Sequence, residues 1–540
     1  MKKELYPQKL DVAVIGGGHN GLISSFYLSQ KNLSVGVFEN RSIIGGAAVT
    51  EEIIQGYRFS RCSYLYSLFR PQIVQDMNLI NRKNGLKLLK RSPSSFTPLK
   101  DNKNYLFMGD SELNYKEISK FSKKDAENYQ KYEEELLQLV KMVDPLFDQI
   151  PLQFQGKEGF KAKIDKILPI LKGFKGRTNL IPQLVQILTA PTAKILNQWF
   201  ESEPLKCTLA YDSIIGAQIS PYQNGSSYVL LHHFMGENDP SGESVGWQYV
   251  EGGMGRLSEI LAEVTAENGT QIYVDSGVKQ ILLSEDGRRA EGIELNNGHK
   301  IKTKQVLSNA TAHHTYLDLL PDLDYYQEFK KKEKQFDYKS PVFKLNVALN
   351  KIPEFKKYQP GEHGPEHCGT IHLGADNLEE MHKAYEDSEY NKIVSKNLLI
   401  EMSLPTTVDK TLVDNKNNHT CGLFIQYVPY DLPWEKQEYK DNFVKEVFRQ
   451  IDHYAPGFSE SVVGYDALSP KDLEQIIGLT GGNIFQGSMS LDQLYFNRAS
   501  YQSPVQNLYI CGSSAHPGGG VTGAPGRNCA KYLLNQLKIK

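Results

Sequence analysis

Gly16, Gly18 and Gly21 follow the apolar run "DVAVI" (residues 11–15) and lead into a segment with helical character. A G-x-G-x-x-G turn between a buried strand and a helix suits the holding of a phosphorylated ligand. Gly16 permits the tight turn, Gly18 lets the main chain approach a pyrophosphate, and Gly21 lets the helix pack on the strand. The helix start offers unpaired N–H groups and a positive dipole end to the anion. His19 and Asn20 lie within the turn and count with it as cofactor-binding positions. Glu39 ends a second strand, "LSVGVFENR", 18 residues after Gly21. That position suits a carboxylate accepting hydrogen bonds from an adenosine ribose. Strand, helix and acid in register point to a bound dinucleotide.

Gly45 and Gly46 form a second close-approach point after the acid, with Arg41 before them. A simple NAD fold needs no such pair. A longer FAD, lying extended, can use Arg41 as a phosphate or ribose contact and Gly46, with Ala47 beside it, as backbone room. The far end of the chain carries a matching feature, "NLYICGSSAHPGGGVTGAPGRN" (residues 507–528), which reads as strand, glycine-rich turn and helix. Gly512 ends the strand. Gly518, Gly519 and Gly520 remove side chains where the main chain would lie against a flavin. The N–H groups near Val521 and Thr522 would face the N1–C2=O edge, where a positive helix end stabilises the charge of reduced flavin. Pro525 suits an early helical turn. The two turns are therefore expected to hold the two ends of one FAD. With one convincing dinucleotide fingerprint, a separate NAD(P) domain is not expected.

Other chemistry is sparse. No Ser-His-Asp set, paired catalytic carboxylates or metal-ligand cluster can be assigned, so the catalytic side chains stay open and no metal is expected. His516 sits within the second turn, either as a general base suited by its intrinsic pKa or as a turn-stabilising residue. Tyr64 and Tyr66 face either a substrate cavity or the core. His232–His233 and His313–His314, taken as strand neighbours, would point to opposite faces and not share a metal. Cys62, Cys207, Cys368, Cys421, Cys511 and Cys529 include no short pair, which favours free thiols in a reducing compartment.

The elements that must position these residues need more than one core, because 540 residues exceed what one supports. The net charge of −2 gives no bulk attraction to nucleic acid, so no nucleic-acid partner is expected. No apolar run approaches the roughly 18 residues of a membrane span. The leader "MKKELYPQK" is too short and polar for a secretory signal, and the expectation is a cytoplasmic protein. Gly252, Gly253 and Gly255 lead into a helix, and residues 270–274 alternate as a strand. Asn297-Gly298 then marks a hairpin tip before a strand at 305–308. "VFKLNVAL" (342–349) and "GLFIQYVPY" (422–430) alternate as strands of a half-buried sheet. Lysines interleaved with isoleucine and leucine from 157 to 177 suit either a solvated helix face or contact with a membrane surface.

Segments including "VIGGGHNGL", "FENRSIIGGAAVTEEIIQGYRFSRCSYLYSLFRPQI", "YVEGGMGRLSEIL", "GGNIFQGSMSLDQLYF" and "CGSSAHPGGGVTGAPGRN" resemble the FAD-dependent phytoene desaturase and amine oxidase superfamily. They run from near residue 10 to near 530. The resemblance implies an α/β fold, α+β overall, whose Rossmann-like FAD-binding domain is discontinuous (1–75, 246–315 and 483–540). A mixed-sheet substrate domain (76–245 and 316–482) would include a basic amphipathic helical region near 157–200. It further implies that the Val278 backbone meets the adenine, that Gln493 and Arg498 face the pocket, and that the mixed sheet forms the substrate wall. The implied function is dehydrogenation or isomerisation of a hydrophobic small molecule, with flavin N5 accepting hydride. A flavin-bound scaffold or regulatory protein would need the same binding residues. An amine oxidase would need an aromatic cage, to which no residue here is assigned. A mitochondrial location is also implied by the resemblance, against the cytoplasmic one suggested by the leader.

Overall fold

The computed structural model describes residues 6–151, 173–237, 246–356 and 363–539. Its first sheet is built on Lys9–Ile15, where residues 12–15 are buried and apolar, as a strand flanked on both sides must be. Lys300–Ser308 and Val35–Phe38 lie parallel on either side of it. Gln271–Tyr273 extends the sheet beyond Val35–Phe38. The outer edge of Lys300–Ser308 is shared: the antiparallel Ala290–Leu295 takes its first half, and the parallel Leu508–Ile510 takes its last three residues. Val278–Leu283 closes that side. The register aligns Ile15 with Phe38 and Ser308, and Ser308 with Ile510. Four strands from three distant parts of the chain therefore end along one edge, and both glycine turns leave from it. In open α/β sheets that carboxyl edge is where ligands bind.

The hairpin turns at Asn297-Gly298, as its residue types require, with Gly298 at φ +84°. The helix His19–Ser29 is buried almost all round, because it lies between two others. Leu22, Ile23 and Phe26 pack in one cluster with Leu257, Ile260, Leu261 and Val264 of Met254–Glu267. Ala524–Gln536 packs on its other flank.

The second sheet runs Val462–Leu468, Phe343–Leu349, His419–Gln426, Leu399–Ser403, Thr370–Leu373, Ser95–Pro98 and Tyr105–Met108. Its two faces differ in chemistry. Phe343, Leu345, Val347, Ile400, Met402, Leu423 and Ile425 form a core with Val444, Val447, Phe448 and Ile451 of the helix Gln437–Tyr454. The alternate positions carry Lys344, Asn346, His372, Glu401 and Ser403, and these too are buried. The sheet expected to be half-buried is thus covered on both sides.

A helical layer holds Lys123–Phe147, Ile181–Thr189, Thr192–Trp199, Glu203–Ala210 and Ser226–Phe234 around a common apolar cluster. Residues 157–172 of the basic stretch lie outside the described residues. Among the described residues no helix is long and apolar enough to cross a membrane.

Candidate functional site

The first turn is fixed by main-chain donors and one acid. Gly16 N–H donates to the Phe38 carbonyl (2.8 Å) and Gly17 N–H to Glu39 Oε2 (2.7 Å). Glu39 Oε1 accepts from Arg41 N–H (2.8 Å). Each carboxylate oxygen has two acceptor sites, so Glu39 keeps capacity for a ligand's hydroxyls. Gly18 is the N-cap of His19–Ser29, no side chain caps that helix, and its first turn holds no acid. Its leading N–H groups are open to an anion. A Cβ on Gly21 would strike the Gly16 carbonyl oxygen, and one on Gly18 would come within 2.8 Å of Asn309 Nδ2.

Gly45 N–H donates to the Gly17 carbonyl (3.0 Å), which brings the second glycine pair onto the first. Gly46 follows with its Cβ position 3.4 Å from Gly18 Cα. Arg41 Nη2 pairs with Glu51 Oε1 at 2.7 Å, while its Nη1 is buried without a partner. His19 Nε2 is likewise buried and unpaired, and burial pushes that imidazole down to about 4. Ser276 N–H donates to the Glu39 carbonyl (2.7 Å), so Val278 begins its strand two residues beyond this contact. An uncapped helix start, an acid with spare lone pairs and two orphaned side-chain nitrogens thus surround a cradle too tight for side chains. These residues fit a dinucleotide.

The second turn is clamped differently. Arg498 is buried and donates to the main-chain carbonyls of Phe485 (3.1 Å), Gln486 (3.2 Å), Gly487 (3.2 Å), Ser488 (3.4 Å) and Ser513 (3.0 Å). Burial pushes its guanidinium down to about 10. Gly512 packs on the main chain of Asn309, and a Cβ on Gly519 would meet Phe485 Cα. Gly520 adopts φ +93°, which favours glycine. Asn20 joins the turns: its Nδ2 donates to Ser513 Oγ (3.1 Å), and its Oδ1 accepts from Gly526 N–H (3.4 Å) in the last helix.

A cavity of about 160 Å³ opens between the turns and the second sheet. His19, Ala47, Ser513, Gly520 and Val521 line it on the turn side. Leu68, Ile215, Trp247, Val342, Phe424 and Ile484 supply most of the rest, with Cys62, Tyr64, His233 and Lys344 as polar members. Lys344 Nζ is buried with no hydrogen-bond partner, stands 4.9 Å from the Tyr64 ring centroid, and is pushed down to about 8 by burial. The Tyr64 hydroxyl donates to Glu401 Oε2 (3.1 Å). Burial, and then Asp212, push the Glu401 carboxyl up to about 8. Burial also pushes the Cys62 thiol up to about 12.

Several sequence expectations are corrected here. His516 is no free base: its Nε2 is engaged by the Leu146 carbonyl at 2.7 Å, burial pushes it down to about 4, and it is not among the cavity's lining residues. Arg498 and Gln493 hold main chain instead of facing the cavity, Gln493 Oε1 accepting from Ser488 N–H (3.1 Å). Tyr64 lines the cavity and Tyr66 does not; Tyr66 instead pairs through its main chain with Gln248. His232 and His233 lie on the helix Ser226–Phe234, not on a strand, and His314 opens a helical turn, His314–Asp318. Among the described residues no group of three or more His, Cys, Asp or Glu is placed to hold a metal. Sequence reasoning missed Asn309 and Lys344. Lys344 had a signal, since alternation in "VFKLNVAL" puts it on the polar side of its strand; Asn309 had none.

Comparison with known proteins agrees with this geometry. The family described as NAD(P)-binding Rossmann-like domain matches residues 14–77. Phytoene desaturase (lycopene-forming) of Pantoea ananas is 23% identical over 97% of this chain and 99% of its own. A redesigned putrescine oxidase has the same fold, with a TM-score of 0.62 at 14% identity, covering 98% of this chain and 99% of that one. These likenesses extend over the whole fold, and another relative is much nearer. Pyridine nucleotide-disulfide oxidoreductase domain-containing protein 2 of Rattus norvegicus is 44% identical over 98% of this chain and 94% of its own. The chain belongs to the family of that protein.

Proposed function

We propose that the chain is an FAD-dependent oxidoreductase acting on a hydrophobic small molecule. One observation carries the reading: two glycine turns leave the same sheet edge, are joined by Asn20, and border one largely apolar cavity. Bound FAD would supply a two-electron acceptor at its ring. The start of the first helix would hold the pyrophosphate, with Arg41 Nη1 and His19 Nε2 as nearby unengaged nitrogens. Glu39 would orient the adenosine ribose, with the main chain at Val278 beside the adenine. Gly512, Gly519, Gly520 and Val521 would offer main chain to the ring, and Gly45, Gly46 and Ala47 would give it passage. The apolar lining would exclude water and seat the substrate, which supports a catalytic over a purely structural role. Cysteine chemistry has no part in the proposal, because Cys62, which lines the cavity, is pushed up to about 12 by burial and stays a thiol.

The test is the visible spectrum of the purified protein before and after anaerobic incubation with a total lipid extract. Flavin bands that bleach are the expected result, and mass spectrometry of the extract then identifies the reductant. Bands that persist would point to another substrate class. A protein that stays colourless after added FAD overturns the reading.

A further inference from the structure

We infer that the cavity takes an apolar molecule bearing one carboxylate, which Lys344 recognises; the inference rests on the flavin reading in calling that molecule a substrate. Lys344 lies on Phe343–Leu349, the strand next to the sheet's edge, 2% exposed and with Nζ making no hydrogen bond. A buried ammonium without an acceptor is costly, and folds ordinarily pair it. Among the described residues no acid reaches it within 4.0 Å. Asp466 is held by Arg61 (3.0 Å) and Asn346 (3.2 Å), and Glu401 takes the Tyr64 hydroxyl on Oε2 while its Oε1 stays buried without a hydrogen bond. On the facing strand Gly422 presents no side chain, its Cβ position lying 3.0 Å from Nζ. What remains in front of the ammonium is the Tyr64 ring and the cavity.

A carboxylate entering the cavity would supply the missing acceptor through a charge-assisted hydrogen bond, stronger than a neutral one. Leu68, Ile215, Val342, Phe424 and Ile484 leave the body of the same molecule an aliphatic or isoprenoid environment. An amine would set a second cation against Lys344 and is the class excluded.

The purified protein, with the cofactor it carries, is titrated calorimetrically with decanoate, 1-decanol and decylamine. Decanoate is expected to bind at least about tenfold more tightly than decanol, as a charge-assisted bond warrants, and decylamine not measurably. Lys344→Met should erase that preference and leave decanol affinity within about twofold, since Met keeps the apolar stem. Equal wild-type affinity for acid and alcohol overturns the inference, as does a preference that survives in Lys344→Met. The wild-type comparison decides without the variant should the variant not fold. Absorbance of the same samples separates the two readings. A colourless protein that prefers decanoate sinks the flavin assignment and leaves Lys344 a carboxylate site. A yellow protein without the preference sinks this inference alone.

Discussion

The two glycine turns do similar work by different means. The first is largely local: within residues 16–46 the chain supplies the turn, the helix start, the acid that holds Gly17 and the second glycine pair that packs on the first, with distant Asn309 laid against its glycines. The second depends on distant chain. Its glycines lie against Phe485, Leu68 and Asn309, and its clamp, Arg498, gathers carbonyls from residues 485–488 and from Ser513. A site that reads its ligand through a short motif can be self-contained. One that shapes a cavity must be assembled from whatever elements surround it.

The strongest way to break this comparison is to fill both cradles. Gly18→Val with Gly520→Val forces a Cβ towards Asn309 Nδ2 in one turn and puts a β-branched residue at φ +93° in the other. That protein should purify colourless or unfolded, and stoichiometric flavin in it would sink the two-turn argument. Arg498→Met separates the turns. It strands buried carbonyls at a cost of at least about 3 kcal/mol, so the urea midpoint should fall and flavin should leave on dialysis. The first turn is untouched, and ADP should still raise the variant's melting temperature by the wild-type increment. Loss of the ADP effect as well would show that the turns are not separable.

Glu39→Gln probes the first turn more gently. The amide can accept from Gly17 or Arg41 but places an NH₂ against the other donor. Flavin affinity should weaken about tenfold, or about 1.4 kcal/mol, measured by fluorescence on titrating FAD into apoprotein. Unchanged affinity would mean that Glu39 only supports the loop.

The same contrast governs what could be read from sequence. Gly16, Gly18, Gly21 and Glu39 were legible because their chemistry is written in consecutive residues with fixed spacing. The turn at 512–523 was legible as a turn, yet the residues around it were not. His516 could be read as a base or as a turn-stabilising residue because it is close in sequence to the glycines; tertiary packing gives its Nε2 to Leu146, far away in the chain, and leaves no free base. Arg498 was placed at the pocket by the family resemblance alone, and nothing in its neighbourhood announces five carbonyls in need of a donor. The strands of the second sheet showed in their alternation, but alternation marks a polar face without saying whether water or protein covers it. That is why Lys344 and Glu401 were passed over. The strand placement of the histidine pairs failed for a simpler reason: helix and strand periods cannot be told apart over two residues.

For Glu401 the expected effect is one of sign alone, and the sign follows from burial. The carboxyl ionises near its ordinary 4.5 when unfolded and near 8 in the fold. Between those values the folded state holds a proton that the unfolded state has released. Its contribution to stability is therefore fully present below about pH 4.5, declines as pH rises and is lost above about 8. Lys344, lowered to about 8 from 10.5, acts with the opposite sign and mainly above pH 8, so it adds little between pH 5 and 8, and the other groups that titrate there are shared by wild type and variant. Asp212 is also raised and interacts with Glu401, so the comparison reads the pair of acids against Asp212 alone. Glu401→Gln keeps an acceptor for the Tyr64 hydroxyl and cannot ionise. Urea midpoints measured across that window should fall less steeply in the variant than in wild type, so that the variant gains on wild type as pH rises. Parallel slopes would mean that Glu401 is charged in the fold and that burial does not hold its proton.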